Sequence, residues 1–371
     1  MSRIPSRTSV VLAALVALAS AAAPPAFAQR KDEKDKKAEG LTAAQRQEAA
    51  PLARLTDDVM KGATAPGTYL VTVPKEPAAK DVPPPQATTA DVTLAWRNDF
   101  LKAQQGAVFV PFSVSAEGGK PGPVTAYLRV AAKGTTEVPA GDKAPYAFED
   151  LYFAELRTPA AGLPPRITRA FAVAPGAYDV YFALRERPSG TTGADAPVKV
   201  VVVKQEVVVP NYHSDELQTS SVLVADKIEQ LTAPVPADAM KERPYVLGDT
   251  EITPAADLKF KKTEELQLVF QIYGAKTGPD KKPDVSVDYI FHQKEPGGGE
   301  KPFNRTPTQT LSEKTLPPNF DPDMGHQLMT GQGVPLQSFP EGDFRLEIKI
   351  TDNKAQKSVT RDVLFTVLAG S

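Results

Sequence analysis

Three histidines, two short acidic clusters and one dense aromatic string are the residues of this chain whose types could support chemistry. His213, His292 and His326 are the only histidines. None opens an H-E-x-x-H, and none lies four residues from another, so a helical zinc pair does not form. Ser214 and Asp215 follow His213 directly. Triad members meet in space from different elements, so this adjacency is not a triad. His292 follows Phe291 on an alternating stretch and should therefore face solvent. The chain has no cysteine, which removes thiol catalysis and thiolate metal ligation. No G-x-S-x-G elbow occurs.

Asp321-Pro322-Asp323-Met324-Gly325-His326 is the most site-like cluster. Carboxylates at Asp321 and Asp323, beside a glycine, can present oxygens to Ca²⁺. The third acidic position and the distant bidentate glutamate are missing. Asp-Pro turn chemistry is the favoured reading, with Asp321 and Asp323 kept as metal candidates. Asp284-Val285-Ser286-Val287-Asp288 nearly spells D-x-S-x-S, but Asp288 replaces the second serine and the stretch alternates like a strand. It is not read as a site. Gly331-Gln332-Gly333 lacks a third glycine and a following helix, so it reads as a turn. Gly297-Gly298-Gly299 reads as a hairpin tip. Tyr146, Phe148, Tyr152 and Phe153 are candidate ligand-facing aromatics that would line a sugar-binding face; core packing is the alternative. A glycosidase would need two acids at defined separation across a cleft. Glu149 with Asp150, or Asp321 with Asp323, are mere sequence neighbours. No cofactor and no enzymatic activity are expected.

The elements around these residues begin with a leader. Arg3 and Arg7 precede a fourteen-residue apolar run, Val10–Ala23, and Ala26-Phe27-Ala28 forms an A-x-A site. Residues 1–28 therefore read as a signal peptide cleaved after Ala28. Spanning a bilayer takes about 20 apolar residues, so an anchor is not expected. Without cysteine no lipid anchor can be attached, and the mature chain is expected in the periplasm or outside the cell. The net charge of −2 gives no electrostatic case for nucleic acid or anionic lipid. Proline, 36 of 371 residues, is about twice the usual ~5%, which suits strands joined by Pro-rich turns.

Residues 29–89 read as a charged tail (Arg30–Gly40), a short helix near Thr42–Lys61 and a Pro-rich linker. Leu52, Leu55 and Val59 recur at helical spacing, Gly62 supplies a stop, and Pro51 should divide the helix. Thr68–Val73 alternates like a strand. Residues 90–210 and 248–371 read as two β-sandwich domains, separated by an inter-domain segment, 211–247. That segment holds one strand-like piece at Ser220–Val224 and a short helix at Pro236–Glu242.

An internal repeat supports this division. Asp91–Leu94 matches Asp249–Ile252 at an offset of 158, as do Val108, Val110, Phe112 and Val114 with Leu266, Leu268, Phe270 and Ile272. Val124–Val130 matches Val285–Phe291 at 161, and Pro175–Phe182 matches Glu341–Ile348 at 166. The offset changes between strands, where insertions belong. Val198–Val209 is nearly continuous in valine, as in a central strand or one buried on both faces. The expected fold is all-β: two tandem immunoglobulin-like β-sandwich domains after a signal peptide and a short helical and linker region.

Several stretches are similar to a group of uncharacterised predicted secreted proteins of soil bacteria. They are Trp96-Arg97-Asn98-Asp99-Phe100-Leu101-Lys102-Ala103, Val110-Pro111-Phe112, Phe148-Glu149-Asp150-Leu151-Tyr152-Phe153, Arg243-Pro244-Tyr245-Val246-Leu247-Gly248 and Phe339-Pro340-Glu341-Gly342-Asp343. Similar sandwich segments stand beside GWxTD-type and von Willebrand factor A-like domains. The resemblance covers roughly residues 90–370. The G-W-x-T-D motif is absent, since Ala95 precedes the only tryptophan, and so is the complete adhesion motif. The resemblance thus implies envelope location and tandem sandwiches, with no functional residue carried over. Two roles follow as expectations. The first is an exported non-catalytic interaction or scaffold protein, binding an envelope protein through sandwich surfaces. The alternative is a carbohydrate-binding or hydrolase-accessory module, binding a glycan.

Overall fold

In the computed structural model, described over residues 41–72, 84–89, 92–137, 146–187 and 197–369, the chain begins with a capped helix. The leader and the charged tail, Arg30–Gly40, fall outside the described residues. Thr42 caps α1 (Ala43–Met60) through a reciprocal capping box with Gln45. Gly62 closes it in the left-handed region, φ 73°. Pro51 does not divide the helix, contrary to expectation. The helix runs through it with Pro51 itself buried beside Leu52, Leu55, Val59 and Met60. The packing of that face offsets the one backbone bond proline removes.

The chain forms two compact bodies. One holds the described residues through Asn211 together with Lys241–Pro244; the other holds Tyr212–Met240 and the described residues from Tyr245 on. The first contains β1 (Gly67–Val71), β2 (Gln86–Ala87), β3 (Thr93–Asn98), β4 (Leu101–Lys102) and β5 (Val108–Glu117). It continues with β6 (Gly122–Ala132), β7 (Phe148–Leu156), β8 (Arg166–Val173), β9 (Gly176–Glu186) and β10 (Val198–Val209). One sheet runs β2-β1-β10-β9-β6-β7; in the other, β5 is flanked by β8 on one side and by β3 and β4 on the other. Trp96 and Phe112 of the smaller sheet meet Phe182 of the larger, Phe171 meets Phe148 of the larger, and Trp96 stacks on Phe112 at 4.4 Å. This is the sandwich core.

The larger sheet is buried on its other face as well. Leu52, Leu55, Val59 and Met60 of α1 pack on Tyr127, Ala131, Tyr181, Ala183, Val200 and Val202. This explains the unbroken valines at the start of β10, and β1 makes that strand internal. The assignment of 29–89 to tail, helix and linker therefore needs correction. α1, β1 and β2 are integral to the first body.

The second body contains β11 (Gln218–Thr219), β12 (Leu223–Gln230), α2 (Ala237–Met240), β13 (Val246–Leu247), β14 (Thr250–Pro254), β15 (Lys259–Lys261) and β16 (Glu265–Tyr273). It continues with β17 (Val285–Lys294), β18 (Glu300–Arg305), β19 (Gln309–Leu311), β20 (Leu328–Pro335), β21 (Gly342–Asp352) and β22 (Lys357–Leu368). In one sheet β16 lies between β20 and the pair β11 and β12, with β14 and β13 beyond. The other runs β15-β22-β21-β17, with β18 and β19 both on β17; β15 pairs parallel to β22. Phe291, Phe339, Phe344 and Phe365 interlock between the sheets.

The repeat holds where strands β5, β6 and β9 occupy the same places in the strand order as β16, β17 and β21. It fails for its first pairing. Thr93 and Leu94 lie in β3, which pairs with β5, whereas Thr250–Ile252 lies in β14, one strand further out than β12. The place beside β16 is taken by β11 and β12, which come from the segment 211–247. That segment is not a separate connector: residues 212–240 build the second sandwich.

Candidate interaction surface

The aromatic string lies on β7 and just before it, and its alternation decides what each ring meets. Phe148 is buried, with 5% exposure, and its ring lies 5.8 Å from Phe171. The Arg129 guanidinium sits 4.2 Å from the Tyr146 ring centre, Arg169 sits 5.5 Å from that of Tyr152, and Arg187 sits 5.6 Å from that of Phe153. Arg187 is itself anchored to Glu48 of α1 at 2.9 Å, and Arg169 to Glu242 at 2.9 Å. Burial pushes the Tyr152 phenol well up. Of the four residues, Phe148 faces the core and not a ligand. The half-buried rings of Tyr146, Tyr152 and Phe153 each lie near an arginine. Sequence could not show this, because two of the arginines come from β8 and the end of β9.

Beneath α1 lies a polar cluster that sequence reading did not anticipate. Arg129 of β6 is 4% exposed. It pairs with Asp57 of α1 and, at 3.2 Å, with Glu149 of β7. Its Nη2 donates to the Tyr127 hydroxyl at 2.7 Å, and that hydroxyl donates to Glu149. Burial opposes the charge on Arg129, but its phenol and carboxylate neighbours outweigh that and hold it firmly protonated. Burial, then Glu149, pushes the Tyr127 phenol far up, so it remains a donor. Both acids are tied to one arginine, so the cluster reads as a clamp holding the helix on the sheet. The one sequence signal was an arginine inside the apolar run Tyr127-Leu128-Arg129-Val130.

The second sandwich gathers its loops at one end: 274–284 after β16, 312–327 before β20, and the 353–356 turn after β21. Asp352, 1% exposed, accepts from the backbone N–H groups of Lys276, Lys354 and Ala355 at 2.7, 3.0 and 3.0 Å. Asn353 Nδ2 donates to Asp284 Oδ1 and Ser286 Oγ at 3.0 and 2.9 Å. Lys354 Nζ donates to the Lys282 carbonyl at 2.7 Å. The buried Lys282 ammonium donates to the carbonyls of Pro317, Pro318 and Phe320 at 2.6, 3.0 and 2.9 Å. Three loops are thereby locked together by bonds to buried groups.

The acidic candidates fall within this framework. Asp321 pairs with Lys281 at 3.0 Å, and its N–H donates to His326 Nδ1 at 3.0 Å. Asp323 lies in a single 3₁₀ turn, Pro322–Met324, and its side chain is outside the described residues. Among the described residues no group of three or more His, Asp or Glu stands ready for a metal ion. Asp284 and Ser286 serve the Asn353 amide, and Asp288 accepts from Thr308 at 2.5 Å, so the D-x-S-x-D stretch is structural. His292 lies on the outer face of β17, with Nε2 3.4 Å from Glu347. It points away from the core as expected but is half-buried among charged neighbours. Gly331-Gln332-Gly333 is not a turn: it lies within β20. A Cβ at Gly331 would come 2.5 Å from the Leu268 carbonyl oxygen, so the close approach of β16 requires glycine there.

Beside the locked loops opens a cavity of about 590 Å³ lined by Asp215, Leu217, Lys276, Asp352, Lys354 and Lys357, among others. Asp352 is saturated by backbone donors, and Lys354 is committed to a carbonyl. Lys276 and Lys357 carry the ammonium groups that face no partner among the described residues. The open ammonium groups thus stand on or beside loops held by buried bonds.

The strand orders define the class: two immunoglobulin-like β-sandwiches, the first built from a six-strand and a four-strand sheet and the second from two six-strand sheets. No family model matches the chain, and no curated protein matches it. Among solved structures it is similar to an Escherichia coli alpha-2-macroglobulin activated by porcine elastase (12% identity, 77% of this chain and 24% of that one, TM-score 0.21). It is also similar to an immunoglobulin-like protein from Pseudomonas aeruginosa (10% identity, 40% and 97%, TM-score 0.18). A third is a Salmonella alpha-2-macroglobulin reacted with methylamine (14% identity, 83% and 18%, TM-score 0.19). The chain thus spans about a quarter or less of the macroglobulins it matches. The fold rests on the strand order and not on these likenesses.

Proposed function

We propose that the protein is an exported, non-catalytic interaction protein of the bacterial cell envelope, and that its second sandwich docks a partner protein through the loop end. The observation that carries this reading is the locked loop cluster around the open cavity. Rigid loops on a sandwich lose little entropy on binding, and loops on a rigid scaffold are where binding groups concentrate. Lys276 and Lys357 would meet acidic groups of the partner. Export rests on the Arg3, Arg7, Val10–Ala23 and Ala26–Ala28 pattern. A glycan role has less support, because Phe148 is buried in the core and the other three rings each lie near an arginine.

Cross-linked retrieval from envelope fractions tests the reading. The mature protein should recover a partner, and Lys276→Glu with Lys357→Glu should lose it while the fold persists. Retrieval at background level, or retention by the double variant, would count against it. Mass spectrometry of the secreted or periplasmic protein should find Gln29 at the N-terminus.

A further inference from the structure

A sheet edge with free N–H and C=O groups invites pairing with another chain, so proteins guard their edges with charge, proline or shortness. Most edges here follow that rule among the described residues. β2, β13, β15 and β19 are two or three residues long. β7 carries Glu149, Asp150 and Glu155; β8 carries Arg166 and Arg169; β3 and β4 carry Arg97 and Lys102. β18 carries Glu300, Lys301, Pro302 and Arg305. β20 is the exception: eight residues, Leu328–Pro335, with no charge and with proline only at the last position.

The hydrogen-bond parity shows which groups of β20 are open. Gln271 of β16 exchanges bonds with Ser220 on the side away from β20, both at 2.9 Å. The alternate residues Leu266, Leu268, Phe270 and Ile272 therefore turn their backbone groups toward β20, opposite Val334, Gln332, Thr330 and Leu328. Leu336 N–H donating to the Glu264 carbonyl at 3.2 Å continues the same parity. The N–H and C=O groups of Met329, Gly331 and Gly333 thus point outward. No backbone group of the described residues outside β16 bonds them. The Gly333 carbonyl accepts from the Gln332 amide at 3.1 Å and keeps its second lone pair.

These three outward positions are symmetric about Gly331. A two-fold axis through Gly331 sets it against Gly331 of a second copy and sets Met329 against Gly333 of that copy. Facing residues of this parity exchange both bonds, giving six N–H···O=C bonds and using every outward donor. An uncharged edge is complementary to itself, as an isologous contact requires. Pro335, without an N–H, ends the pairing. We propose that two copies of this chain associate antiparallel through β20, joining two sheets into one. The contact is narrow, so association belongs in the micromolar range. It stands independently of the loop-end reading.

Sedimentation equilibrium of the full mature chain tests this, with amide hydrogen exchange at low and high concentration. The expected result is a concentration-dependent dimer in which the amides of Met329, Gly331 and Gly333 gain protection. Gly333→Pro removes one outward donor and no bond to β16; its only close contact, 2.6 Å, is to the mobile end of Glu265. Gln332→Lys adds like charge across the axis. Either variant should weaken dimerisation at least tenfold with thermal unfolding unchanged. A wild-type chain that stays monomeric, a dimer unaffected by both variants, or protection elsewhere would overturn the proposal.

Discussion

The larger sheet of the first sandwich and its counterpart in the second share the strand order and differ in what covers them. In β6 and β9 nearly every residue is buried. In β17 and β21 the burial alternates, with Val285, Val287, Tyr289 and Phe291 inward and Ser286, Asp288, Ile290 and His292 outward. The first sheet wears α1 on its outer face. The second presents charges there, with Arg345 bonded to Glu300, Glu347 and Asp362 at 2.8, 3.1 and 2.7 Å. One strand order therefore supports two kinds of face, and an element outside the sandwich decides between them. A covered face demands apolar residues and paired charges. An open face tolerates single ion pairs that solvent screens.

Five substitutions probe that difference. Arg129→Ala strands Asp57 and Glu149 under the helix and should cost about 3–5 kcal/mol. In a denaturant titration followed by probes in each body, the first-body transition should move and the second should stay. Leu55→Ala opens a cavity under the helix and should cost about 2–5 kcal/mol, whereas Ile290→Ala on the open face should cost under about 1 kcal/mol. Equal effects in calorimetry would mean the two faces are not distinct. Lys282→Met leaves three carbonyls without their donor and should lower second-body stability by about 1–3 kcal/mol, with faster amide exchange in the 312–327 loop. Arg345→Ala should cost no more than about 1 kcal/mol after solvent screening. Melting curves at low salt and at ~1 M salt should show even that difference fading.

Much of this architecture was legible in residue periods. Leu52, Leu55 and Val59 announced a helix face, and Val198–Val209 announced a strand without an exposed side. Neither announced the other as its partner, because no local pattern states which helix covers which sheet. Gly331 and Gly333 were read as turn residues since glycine is costly in strands. Their actual reason, at least for Gly331, is the approach of Leu268 from a strand some sixty residues earlier. The aromatics from Tyr146 to Phe153 looked like a platform for the same reason: the arginines above them are distant in sequence. The candidate cavity gave no signal, since Asp215, Lys276 and Lys357 share no motif.

The sequence by itself determined the leader pattern, the absence of thiol chemistry, the all-β class and the places of the central strands. These follow from composition and from period-2 alternation, which are local. Only the tertiary structure decided that residues 43–71 belong to the first sandwich and 212–240 to the second. It alone locked three loops around Asp352 and Lys282 and left β20 as an unguarded edge. Those features depend on long-range hydrogen bonds and shared apolar faces, and such contacts are set by packing across the fold.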